Sequence, residues 1–184
     1  MKKTTIAILS LLLVSVTTTF GQGTINFGNR VSPNFAPVTM PDGTTRLDGA
    51  GFSAQLYLAG SLTAVGTPVP FRTGTVAGSW QLTEIPVPGV APGTTASFLV
   101  RAWANGGGAF ATYDAARTGG QLYGESLSFT SLPLGGGSPP AAEPNIVGNP
   151  LAANNLQPFS LVPEPSTIAL GLIGAFALLL RRRK

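Results

Sequence analysis

The sequence predicts an all-β chain: an antiparallel β-sandwich, immunoglobulin-like or jelly-roll, between an N-terminal signal peptide and a C-terminal transmembrane helix. Three observations carry that reading. Apolar residues of the body recur with a period of two in β-prone stretches. Turn formers punctuate the chain, with 24 Gly and 16 Pro among its 184 residues. No stretch of the body shows the apolar stripe of a three-turn amphipathic helix.

The first element is the signal peptide, residues 1–21. Lys2 and Lys3 form its charged start, and Ile6 to Val16 form an apolar run of ordinary signal length. Gly21 offers a signal peptidase the small residue it needs, so the mature chain is expected to begin at Gln22. The alternative is an uncleaved anchor, for which the run is short against the roughly 20 apolar residues of a bilayer span.

Strands follow over 22–162. Thr24 to Phe27 alternates polar and apolar residues. In Phe52 to Leu58, residues Phe52, Ala54, Leu56 and Leu58 share a face. Trp80 to Ile85 is a weaker candidate. Ala96 to Ala104 is the strongest, with Ala96, Phe98, Val100 and Ala102 on one face and Ser97, Leu99, Arg101 and Trp103 on the other. Leu127 and Phe129 alternate with Ser126 and Ser128, and Phe159 to Val162 supplies a last strand. Pro41-Asp42-Gly43, Asp48-Gly49, Pro88-Gly89, Pro92-Gly93 and Asn105-Gly106 mark turns, because each presets φ or tolerates positive φ. Short strands so spaced suit a sandwich, and a barrel shares the signature. Residues 135–158 read as a Gly/Pro/Asn-rich loop whose length favours disorder.

The last element is the segment 163–184. Pro163 and Pro165 around Glu164 exclude regular structure. Ser166 or Thr167 then caps a helix over Ile168 to Leu180, uncharged throughout, with a span of about 167–180. Arg181, Arg182, Arg183 and Lys184 hold the end in the cytoplasm and place the body outside. Thirteen residues reach only about 20 Å, short of a roughly 30 Å hydrocarbon core, so the inner membrane is a temporary hold.

Charge and composition exclude several functions. The net charge of +4 belongs to the two ends. Between 22 and 162, five Arg face six carboxylates, so no basic face exists for a nucleic acid. Histidine and cysteine are both absent, which removes imidazole bases, thiolate nucleophiles and zinc clusters. No cofactor or metal site is indicated. A glycosidase would need two carboxylates across a cleft, but Asp42 and Asp48 precede Gly and look like turn formers. Glu84 and Glu125 look solvent-facing on strands. Gly106-Gly107-Gly108 lacks the Lys-Ser/Thr of a phosphate loop and reads as a turn. Calcium-binding repeats are missing. Arg101 and Trp103 fall at i and i+2 on one strand face. They suit either an aromatic platform for a sugar, extended by Trp80 and Tyr57, or an Arg covering a half-buried Trp; the second reading is favoured.

The tail resembles the PEP-CTERM sorting signal of Gram-negative bacteria. Val162-Pro163-Glu164-Pro165-Ser166-Thr167, an apolar helix with Gly171 and Gly174, and the basic end occur in that order. The resemblance implies recognition by an exosortase, a membrane protease or transpeptidase that processes the tail at Pro163-Glu164-Pro165. It also implies association with exopolysaccharide export and biofilm matrix. More loosely, Gln22 to Phe27, Leu56-Tyr57 and Val100-Arg101-Ala102-Trp103 resemble uncharacterised PEP-CTERM proteins of Verrucomicrobia-like bacteria. The expectation is a non-enzymatic secreted surface or matrix protein. A carbohydrate-binding module is the alternative, and a polysaccharide hydrolase ranks below it. A plain hydrophobic anchor would carry no partner beyond the membrane.

Overall fold

A computed structural model of the chain describes residues 21–148 and 155–163. The described residues are mostly β, with several antiparallel sheets, one parallel pair and almost no helix. In order, the strands are β1 (Gly23–Phe27), β2 (Arg30–Val31), β3 (Asn34–Phe35), β4 (Val38–Thr39), β5 (Phe52–Leu58), β6 (Thr63–Pro70), β7 (Thr83–Val87) and β8 (Ser97–Ala104). The short helix α1 (Tyr113–Thr118) precedes β9 (Tyr123–Glu125), β10 (Phe129–Thr130) and β11 (Phe159–Ser160).

A five-stranded sheet centres on β8, which pairs with β5 on one side and with β9 and β10 on the other; β6 extends the β5 edge. β1 pairs antiparallel with β7 over five positions, Ile25 opposite Ile85. Alternation drives both units. Ile25, Phe27 and Val87 from the β1–β7 pair join Ala54, Leu56, Phe98, Val100 and Ala102 from the larger sheet in one apolar core. Burying each of the larger of these side chains, the Val, Leu, Ile and Phe, contributes roughly 1.5–3 kcal/mol. Trp80 lies in the same core, its ring 5.0 Å from Phe27 and edge-on to Phe71 at 5.6 Å. Asn29, fully buried, fixes that corner: its amide donates to the carbonyls of Ala36 and Gly78, and its Oδ1 accepts from the Trp80 amide.

Several expectations require correction. The strand expected at Trp80 to Ile85 lies at β7, three residues on, and Trp80 makes only an isolated bridge to Phe71. β6 carries Pro68 and Pro70 and weak alternation, which hid it; prolines are tolerated because it is an edge strand. The alternation of Leu127 with Phe129 fails at a bulge. Arg101 pairs with Glu125 and Phe98 with Phe129, so three steps along β8 match four on its partner. Ser126 absorbs the slip: its hydroxyl accepts from the Val100 amide at 2.9 Å and donates to the Leu127 carbonyl at 2.8 Å. Leu127 is thereby pushed outward, 77% exposed, while Phe129 stays in the core.

The stretch 135–158 is not a free loop where it is described. Gly135 and Thr24 exchange both backbone hydrogen bonds, and Asn26 donates to Pro144 and accepts from Ile146. This covers the open edge of β1, whose donors and acceptors would otherwise be left without partners. Ile146, Val147 and Leu156 enter the core. α1 was not legible either, since six residues carry no periodicity; Thr112 caps it by accepting from the Ala115 amide at 3.2 Å.

β11 closes the fold. It runs parallel to β4, Phe159 beside Val38, and the hydroxyls of Ser160 and Thr39 meet at 2.7 Å. No helix among the described residues is long and apolar enough to cross a membrane, and the expected span over 167–180 lies outside them.

Candidate functional site

The period of β8 sends Arg101 and Trp103 to the face opposite the main core, where α1 covers them. Trp103 is completely buried against Tyr113 and Ala116, and its Nε1 donates to the Phe110 carbonyl at 2.9 Å. Tyr113 stands edge-on to both Trp103 (6.4 Å) and Tyr123 (5.7 Å). These rings hold a small second core on the outer face of the sheet.

Arg101 crosses the top of that core. Gln55 lies opposite it on β5, so Tyr57 is its diagonal neighbour, within reach of a long side chain. Its guanidinium sits 4.8 Å from the Tyr57 ring centre and 4.5 Å from that of Tyr113. Nε donates to Glu125 Oε2 at 3.0 Å; the Arg101 side chain is only 11% exposed and that of Glu125 43%. An arginine held between two rings and one carboxylate loses little entropy when it takes a further acceptor. Burial pushes the Tyr113 phenol up to about 12, aided by the charge of Glu125, and burial also raises Tyr57. Both phenols are therefore neutral at physiological pH.

Beside this arginine opens a cleft of about 360 Å³, walled by Arg101, Tyr113, Arg117, Tyr123 and Glu125. Arg117 projects from the last turn of α1 with its guanidinium 5.8 Å from the Tyr123 ring centre. Among the described residues its charge has no carboxylate partner within ion-pair distance. Ser160 and Val162 complete the cleft wall. Val162 is tied there by its backbone: its amide donates to the Tyr123 carbonyl at 2.7 Å and its carbonyl accepts from the Tyr123 amide at 3.4 Å. Gly124 makes this approach possible. A Cβ at that position would lie 2.6 Å from the Ser160 carbonyl oxygen and 3.0 Å from Leu161 Cα, both main-chain atoms.

The predicted site residues fall in three places. Gly21 and Gln22 stand exposed at the start of the described chain, immediately before β1. Pro163 is partly buried directly after the Val162 bridge, whereas Glu164, Pro165, Arg181, Arg182, Arg183 and Lys184 lie outside the described residues. The aromatic platform needs correction. Trp103 and Trp80 are 0% and 2% exposed and Tyr57 is 7% exposed, so none of them presents a ring face for a sugar to stack on. Arg101 covers Tyr57 and Tyr113, not Trp103, because α1 places Tyr113 over the strand. The cleft itself was missed: it depends on α1 and on the return of β11, two elements with weak local signals.

Three carboxylates of the body serve local structure. Asp42 accepts from the Thr44 and Thr45 amides and the Thr45 hydroxyl, which lower it to about 2. Glu143 accepts from Thr24 Oγ1 at 3.3 Å, and Glu125 holds Arg101. The expected turn at Gly106-Gly107-Gly108 is a short 3₁₀ turn whose amides at 107 and 108 donate to Asn105 Oδ1.

No curated protein and no solved structure gives a significant match to the chain. Residues 161–184 do match the PEP-CTERM protein-sorting motif, beginning at Leu161, which is fully buried in the core. Residues 161–184 thus carry a PEP-CTERM sorting signal, which implies exosortase-dependent sorting of a secreted protein.

Proposed function

We propose that the protein is a non-enzymatic surface or matrix protein whose exported body is delivered and processed by an exosortase at Pro163-Glu164-Pro165. The observation that carries this reading is the sorting-motif match over 161–184, joined to the body without an intervening linker. In this reading a signal peptidase frees Gln22. The apolar helix over 167–180 holds the tail in the inner membrane, and Arg181 to Lys184 stop it from slipping through, since carrying such charges across hydrocarbon costs about 2.5–3.5 kcal/mol each. The body is a β-sandwich. One core shared by the β1–β7 pair and the five-stranded sheet supports that arrangement. The family resemblance makes exported polysaccharide its surroundings. A sugar-binding role draws no support from Trp80, Trp103 or Tyr57, which serve the cores. A hydrolytic role draws none from Asp42, Glu125 and Glu143, whose partners are structural.

The test is to replace Pro163, Glu164 and Pro165 together by Ala and follow tail mass in hosts with and without an exosortase. The variant should be exported and membrane-held but keep its tail in both hosts, while the wild-type chain loses it only where the enzyme is present. Equal processing of the wild-type chain in the two hosts would reduce the segment to a hydrophobic anchor.

A further inference from the structure

We propose that the cleft between α1, β9 and the end of β11 binds a small hydroxylated carboxylate from outside the chain, of which a sugar acid is the plainest example. Charge selects the carboxylate. The cleft walls carry two guanidinium groups and a single carboxylate, which leaves one positive charge to be matched. Arg101 is committed to Glu125 through Nε and pinned by the rings of Tyr57 and Tyr113. Arg117 has no carboxylate within ion-pair distance among the described residues, and only the Tyr123 ring beneath it. Its planar fork of donors suits a carboxylate that enters from solvent.

Tyr113 supplies an independent sign of a ligand. The residue is 4% exposed, yet its phenol makes no hydrogen bond with any described residue. The phenol oxygen is not sealed in either: among the described residues, the one buried side-chain polar atom without a partner is Trp80 Nε1. Tyr113 lines the cleft, so that oxygen meets solvent there. Burial pushes the phenol up to about 12, with the charge of Glu125 adding to the rise and those of Arg101 and Arg117 opposing it. It therefore keeps a proton to donate at physiological pH. A hydroxyl so nearly enclosed is poorly served by bulk water and is well placed to donate to a bound oxygen.

Size and wall chemistry select the rest of the molecule. A cleft of about 360 Å³ falls within the roughly 300–1,000 Å³ of small-molecule sites, so it has room for a ring and not only for a bare anion. Val162 is the one aliphatic side chain on the walls, and the rings of Tyr113 and Tyr123 are each faced by a guanidinium. An apolar ligand finds little there to cover. Glu125 engages Arg101 through Oε2, which leaves Oε1 to accept from a ligand hydroxyl. Recognition of this kind rests on charge and hydroxyl pairing and not on ring stacking. It is also independent of how the tail is processed.

The test is a nitrogen-15 NMR titration of the full-length protein in an uncharged detergent. The probes are glucuronate and galacturonate, with glucose and acetate as the neutral and the hydroxyl-free comparisons. Either sugar acid should shift the Arg101 Nε–H and the Tyr123 and Gly124 amides along one saturable curve. Glucose should leave them in place, and acetate should need a concentration roughly ten-fold higher. Arg117→Gln, a change at an exposed side chain, should weaken the sugar acid roughly ten-fold, as loss of a charged hydrogen-bond donor allows. Tyr113→Phe keeps the ring that stands against Trp103 and removes only the hydroxyl. It should weaken the sugar acid roughly three- to ten-fold with the thermal midpoint unchanged. Absence of any shift with both sugar acids would overturn the proposal. So would acetate binding as tightly as the sugar acid, or an affinity that neither substitution alters.

Discussion

β8 and β11 are both strands, but they hold their places for opposite reasons. β8 has eight residues, alternates on both faces, and is flanked by β5 on one side and β9 and β10 on the other. Its neighbours pack around side chains that it supplies: Phe98, Val100 and Ala102 inward, Trp103 outward. β11 has two residues and is positioned by others, through Thr39 on one side and Tyr123 and Gly124 on the other. The first is a centre of stability. The second is a seam, and the sorting signal begins at it.

The comparison breaks first at Trp103. Trp103→Ala empties the second core and leaves Tyr113 and Tyr123 without their common neighbour, so urea unfolding should show a loss of about 3–5 kcal/mol. Trp80 remains as the fluorescent reporter. A loss below about 1 kcal/mol would mean that α1 is not a true cover for the sheet. Gly124→Val attacks the seam instead. Its Cβ meets main-chain atoms of Ser160 and Leu161, so the last strand must shift, at a cost of about 1–3 kcal/mol. Hydrogen exchange should then rise at Leu161 and Val162 more than at Val100. Uniform protection along both strands would erase the distinction. Thr39→Val is the mildest probe. It removes the hydroxyl contact to Ser160 and should cost about 0.5–1.5 kcal/mol, again felt mainly in β11.

The same contrast explains what could be read from the sequence. β1, β5 and β8 announce themselves because each buries a regular alternating face, and their observed limits fall within a residue of those expected. The position of β11 was also indicated by Phe159 to Val162, but its parallel pairing with β4 was not, since nothing local encodes a partner so distant. Leu127 was misread for a related reason: one inserted residue reverses which side chains face inward, and only the pairing partner reveals the insertion. Trp80 and Trp103 illustrate a further limit. A tryptophan on a strand looks alike whether water or a helix faces it, and the helix that buries Trp103 is too short to leave a pattern. The tail was legible because its information lies in residue order alone, and the match over 161–184 agrees with it. The cleft beside the tail was not, since it joins residues from Arg101 to Val162 that meet only in three dimensions.

The parallel pairing of β11 with β4 also sets a clock. Thr39 and Ser160, which face each other across that pair, are 121 positions apart. A chain that emerges N-terminus first must therefore keep β4 waiting, with Val38 and its share of the core incomplete, until nearly everything before the sorting signal has appeared. Contacts of such long separation are also the slowest to close. The body thus completes itself only as the sorting signal arrives, so that finishing the fold and displaying the address become nearly one event in time.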